Sequence, residues 1–214
     1  MSSKKKDHLE KAFQEKVVQE LQKYKWEAPE ELNGNTHLVT VQDLVNNWRK
    51  ELNRLNADQL ENVPLTDNEF AQVMQKVNQI KNSYEAAKIL AMEDSKGKID
   101  GIYRDPHPDV TRKQVTLTIF KKAEVAGGDS SYKIAREVTS PKNGSKDENR
   151  FDLILLINGL PLINIEQKRS DKSLDYAFGQ FERYYKAGEY QYNFLAFSQM
   201  MVCMSEIETR YFAT

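Results

Sequence analysis

Apolar residues recur at helical spacing through the first part of the chain and then give way to alternation and unbroken apolar runs. Phe13, Val17, Val18 and Leu21 mark a helix over 8–24. Val41, Leu44, Val45, Trp48 and Leu52 mark a second over 41–54, with Thr40 as its N-cap. Thr66 and Glu69 form a capping box, and Phe70, Val73, Met74, Val77, Ile80 and Tyr84 then supply one face of a single long helix. From about residue 98 the texture changes. QVTLTIF (114–120) and SYKIAREVT (131–139) read as strands linked through AGGDS (126–130), and SPKNGSKDEN (140–149) reads as a polar loop. FDLILLI (151–157) and PLINIEQK (161–168) are strands joined by Asn158-Gly159, the pair that best suits a two-residue hairpin turn. Their near-continuous apolar character implies a sheet covered on both faces. Ser173 then caps a helix that ends near Gly188, and FLAFSQMMVCMS (194–205) reads as one more buried strand. The expected class is α/β, a mixed sheet flanked by helices with a helical insertion near the N-terminus.

Composition narrows the picture by exclusion. The chain has 214 residues, is 29% charged and carries a net charge of −1, so bulk charge offers no argument for nucleic acid. One cysteine, Cys203, allows no internal disulfide and fits a reducing cytoplasm. MSSKKKDHLEKAF lacks the apolar stretch of a signal peptide, and its three lysines read as a solvated terminus. No run is long enough for a membrane span. His8, His37 and His107 are scattered, and neither a P-loop nor a G-x-S-x-G nucleophile motif occurs. The organisation expected is a single domain over 1–214, helix-rich to about 97 and with the sheet and helix core over about 98–214. The abrupt SEIETRYFAT end suggests the front part of a longer subunit.

Candidate chemistry gathers at the hairpin. Glu166 and Lys168 are two residues apart on a strand and so share a face. With the turn at 158–159, Asp152 falls opposite 165–166, and two carboxylates converge. Like charges that close resist ionisation unless a cation lies between them. Mg²⁺ fits, because it takes oxygen ligands and is content with one or two carboxylates; the Ile165 carbonyl could add another oxygen. Lys168 would then stand beside metal and substrate, where it could stabilise developing charge on a phosphate or help position a water. A surface cross-strand ion pair explains E-x-K alone equally well. On the next helix Gln180 and Tyr184 are four apart and share a face, with Arg183 adjacent and suited to a phosphate.

NRFDLILLINGLPLINIEQKRS, AFGQFERYYK and ETRYFAT together resemble the N-terminal nuclease domain of the restriction (motor) subunit of type I restriction–modification enzymes. The likeness is strong over roughly 148–214 and one of plan before that. It implies a PD-(D/E)xK fold and a Mg²⁺-dependent endonuclease acting on double-stranded DNA. Asp152 and Glu166 would bind the metal, Lys168 would be the catalytic lysine, and Gln180 and Tyr184 would support cleavage. An acid expected on the first helix falls at Glu10. A second acid common in the family is Gln14 here, with Glu15 next to it. DNA would be held through phosphates by Arg183, Arg169 and Lys172 as well as Lys168. The resemblance also implies partner methyltransferase and specificity subunits and ATP-driven translocation by motor domains absent from these residues. Two other readings remain: a free-standing repair or resolvase nuclease, and a non-catalytic domain that docks a motor to its partners.

Overall fold

The computed structural model describes residues 3–91, 97–120, 130–141 and 148–214, with side chains from residue 9 onward. Among these residues five helices, α1 (Ser3–Gln22), α2 (Val41–Leu55), α3 (Asp67–Val77), α4 (Ser83–Ala91) and α5 (Asp175–Lys186), flank a sheet of six strands. The strands are β1 (Val39–Thr40), β4 (Tyr132–Pro141), β5 (Glu148–Ile157), β6 (Leu160–Gln167), β7 (Met200–Met204) and β8 (Thr209–Ala213), lying side by side in that order. β1 runs parallel to β4 and β6 parallel to β7, while the other pairs are antiparallel. This mixed sheet with helices on both faces has the PD-(D/E)xK-like plan that the sequence implied.

Each face is sealed by a different set of side chains. Val18 of α1 packs with Ile134, Leu153, Leu155, Ile165 and Val202 on one side. The larger core lies on the other, where Trp48 of α2 meets Phe70, Phe194 and Phe197 with ring centroids 5.0–6.2 Å apart. The 158–159 turn has the left-handed backbone of a type I′ hairpin, with φ 51° at Asn158 and 79° at Gly159. Asn158 is wholly buried, and its side chain accepts from Ser131 N, so the turn is fastened to the start of β4. A Cβ at Gly159 would meet Trp48 Cα at 2.8 Å, so both the φ and the close approach of α2 require glycine.

Several elements differ from the sequence expectation, each for a local reason. The long helix beginning at Thr66 is two helices. Its capping box forms, with Glu69, but Asn78 closes α3 by donating its backbone N–H to Met74 O, and the Asn82 side chain accepts from Glu85 N at the start of α4. The strand expected over 194–205 begins with a 3-10 turn at Phe194–Phe197, where the Asn193 side chain caps Leu195 N; the strand itself starts only at Met200. β3 (Gln114–Thr118) does not join the main sheet. It pairs with β2 (Lys98–Tyr103) in a separate two-stranded sheet beside α3. The strand boundary near residue 98 is therefore not the start of the main sheet, whose edge strand β1 lies far earlier. The 126–129 link and most of the 140–149 loop lie outside the described residues.

A buried ion pair joins the small sheet to the helical part. Arg104 Nε is 2.9 Å from Glu69 Oε1, both side chains are 1% exposed, and Arg104 also donates to the carbonyls of Leu60 and Val63. Glu69 accepts from Thr66 N and Asp105 N as well. With its lone pairs and protons met, this pair avoids most of the desolvation penalty that makes buried ions costly.

Candidate active site

β5 and β6 are in the register that the hairpin implied: Leu153 pairs with Ile165, so Asp152 lies opposite Glu166. Leu153 and Ile165 point to α1, and Asp152 and Glu166 therefore point to the α5 side. Asp152 lines a cleft of about 800 Å³, with Glu166 buried beside it. Its lining includes Asp152, Lys168, Gln180, Arg183 and Tyr184, together with Glu10 and Gln14 of α1 and Glu137 of β4.

Glu166 is 1% exposed, and no hydrogen-bond partner reaches either of its side-chain oxygens. Lys168 Nζ stands 3.7 Å from Oε2 and also donates to the Gln167 carbonyl. Asp152 keeps some surface open to the cleft and accepts the Gln167 backbone N–H at 2.7 Å. Burial, then the charge of Asp152, pushes the Glu166 carboxyl well above the ordinary range, against the pull of Lys168. Burial likewise raises Asp152, with Lys168 and the Gln167 N–H opposing. Orphaned buried carboxylate oxygens are costly unless a proton or cation meets them. The paired acids thus fit a hard divalent cation. Among the described residues no group of three or more His, Cys, Asp or Glu side chains could form a metal cage alone. Mg²⁺ needs none, since it keeps waters and uses one or two carboxylates.

α5 fixes this corner from above. Ala177, Phe181 and Tyr184 form its buried face, whereas Phe178 and Tyr185 are about half exposed. The Tyr184 hydroxyl donates to the Arg150 carbonyl, and Gln180 Nε2 donates to the same hydroxyl. The Tyr184 ring packs on Phe151 with centroids 4.6 Å apart. The amide and phenol therefore tie α5 to the strand that carries Asp152. Burial, then the Glu166 charge, pushes the thiol of Cys203, opposite Glu166 on β7, up to about 11.

The other expected residues are less concentrated. Arg183 lines the cleft. Arg169 is paired with Asp171, and Lys172 sits 5.5 Å over the Tyr176 ring; neither lines it. Ile165 lies between paired residues on both sides, Leu153 and Val202, where a strand carbonyl faces a neighbouring strand. Glu10 reaches the cleft lining, while Glu15 turns away to Arg136 at 2.7 Å. Gln14, which looked like a departure from pattern, is 3% exposed and donates to both Glu137 Oε1 and the Asp152 carbonyl. Sequence reasoning missed Glu137, Arg150 and Lys11, which also line the cleft. Glu137 could have been found only from the β4–β5 register, and the long polar connection between those strands conceals it.

The family model for the type I restriction enzyme R protein N terminus matches residues 7–214. The chain belongs to that family. Similar proteins include the type I restriction enzyme SauMSSORF170P endonuclease subunit of Staphylococcus aureus, 31% identical over 82% of this chain and 17% of the relative. The SsaAORF53P endonuclease subunit of Staphylococcus saprophyticus is 30% identical over 86% of the chain and 18% of its own length. The EcoprrI endonuclease subunit of Escherichia coli is 31% identical over 55% of the chain and 31% of its length. This R-protein N terminus thus spans less than a fifth of the staphylococcal relatives. It brings Asp152, Lys168, Gln180 and Tyr184 to one cleft, with Glu166 buried beside them. Among its described residues no helix is long and apolar enough to cross a membrane.

Proposed function

We propose that this domain is the Mg²⁺-dependent endonuclease module of a type I restriction enzyme, hydrolysing phosphodiester bonds of double-stranded DNA. The observation that carries the reading is Glu166: a fully buried carboxylate without hydrogen-bond partners, opposite Asp152 and beside Lys168, in a chain of this family. Asp152 and Glu166 would hold the ion, with waters and substrate oxygens completing its shell more readily than the ladder-bound Ile165 carbonyl. Glu10 also lines the cleft and would add a further carboxylate near the ion. When bound, Mg²⁺ supplies positive charge against the phosphate and acidifies a water.

The chain's own groups account for the rest. Lys168, largely shielded from solvent, would donate from Nζ to a phosphate oxygen as negative charge builds there. Gln180 and Tyr184 act by position, holding Asp152's strand against α5. Arg183 gives the cleft wall a group that can take a phosphate in bidentate fashion. Cutting would follow ATP-driven translocation by motor domains that the longer relatives leave room for, within a complex with methyltransferase and specificity subunits. ATP would serve only those domains.

The test is Lys168→Ala in the assembled enzyme. DNA cleavage should be abolished while ATP-driven translocation continues. Unchanged cleavage would refute the assignment.

A further inference from the structure

Glu137 has a backbone that its residue type disfavours. It lies across from Asp152, between the paired residues Arg136–Leu153 and Val138–Phe151, yet its φ is +50°. Non-glycine residues rarely hold such a conformation, and where they do the surroundings impose it. A neighbouring segment packs closely on Glu137. The Asn33–Gly34 segment lies against β4, with Gly34 N donating to Arg136 O at 2.9 Å. A Cβ on Gly34 would meet Arg136 O at 2.4 Å and Glu137 O at 2.6 Å, so the approach is as close as glycine allows. Glu137 lies across from Asp152, and its carboxylate lines the same cleft.

That carboxylate is held at both oxygens. Oε1 accepts from Gln14 Nε2 at 2.9 Å, and Gln14 is itself fixed by Asn35 Nδ2 at 2.8 Å. Oε2 is 2.8 Å from Arg150 Nε. Arg150 is two residues before Asp152 on β5, a separation of about 7 Å along a strand, and both side chains line the cleft. The Arg150 side chain remains 66% exposed, and its ion pair uses Nε. The guanidinium fork is thereby oriented while its terminal nitrogens stay available to a planar pair of oxygens.

We propose that Arg150 is a DNA-backbone contact of this site and that Glu137 is its positioning residue, the pair fixing a phosphate next to the one cut at Asp152 and Glu166. This rests on the nuclease reading. An exposed surface ion pair would contribute little to stability. A strained backbone and a buried glutamine built to aim one therefore point to a ligand beyond the fold.

The experiment measures equilibrium binding of a short fluorescent duplex by the chain and its variants across a salt series. Ca²⁺ replaces Mg²⁺, as a hard cation taking oxygen ligands. Arg150→Ala should weaken binding and reduce the slope of log affinity against log salt by about one contact. Arg150→Lys should keep the slope yet bind less tightly. Glu137→Gln should leave the slope and the melting temperature unchanged while weakening binding, because Arg150 keeps its charge and loses its aim. If Arg150→Ala matches the wild type in affinity and slope, the contact is refuted and the nuclease reading stands. If Glu137→Gln binds like the wild type, the positioning role is refuted. A wild-type chain that binds no duplex would overturn both the nuclease reading and this extension of it.

Discussion

The Tyr184 hydroxyl donates its hydrogen bond to the carbonyl of Arg150, two residues before Asp152 on the same strand. A helix side chain is thus the fastening of the strand that presents the acid. Tyr184→Phe keeps the ring on Phe151 but leaves the Arg150 carbonyl without this donor, at a cost of about 1–3 kcal/mol. Gln180→Ala leaves the phenol in place and should lower cleavage by the assembled enzyme with little change in thermal unfolding. A large loss of melting temperature in Gln180→Ala would make the glutamine structural.

Phe181 tests the packing beneath that fastening. Its ring is 3% exposed and lies 5.8 Å from Phe212 and 6.4 Å from Tyr184, centroid to centroid. Phe181→Ala should cost about 3–5 kcal/mol in denaturant unfolding. A negligible shift would mean that this face of α5 is not core.

The Arg104–Glu69 bridge should be as demanding as any apolar contact. Glu69→Ala leaves a guanidinium buried without its partner and removes an acceptor from Thr66 N and Asp105 N. The expected loss is about 3–5 kcal/mol by chemical denaturation. A loss below about 1 kcal/mol would place Arg104 in solvent.

Glu51 provides a pH signature. Burial raises its carboxyl, but hydrogen bonds from Lys133 and Arg54 outweigh burial and hold it below the ordinary value. A depressed folded pKa contributes stability above the unfolded value, about 4.3, and loses it as pH falls through the folded one. The wild type should therefore exceed Glu51→Gln in stability by about 1–3 kcal/mol near neutral pH. The gap should narrow as the medium is acidified below about pH 4. A gap that widens in acid would contradict the ion pair's role.

These residues also show how far the chain's pattern could be read. The β5–β6 hairpin was legible because Asn158-Gly159 names its own turn and thereby counts the register to Asp152 and Glu166. Gln180 and Tyr184 were legible because four residues make one helical face. β1 is two residues long, too short for any alternation, and β2 carries Gly101 at φ 71° where its register shifts, which breaks the period. β8 is an edge strand with mostly exposed side chains, so no apolar pattern marks it. Glu137 was hidden for a different reason. Its place across from Asp152 comes from the β4–β5 register, and the long connection between those strands leaves no local signal for it.

The most direct test of the account is calorimetric titration of this chain with Mg²⁺ or Mn²⁺ beside Asp152→Asn, in two buffers of different ionisation enthalpy. The wild type should bind and release protons as the raised carboxyls give way to the cation, and its affinity should rise with pH. Asp152→Asn should lose that binding while remaining folded. Equal binding by wild type and variant, or binding with no proton released, would contradict a metal site built on Asp152 and Glu166.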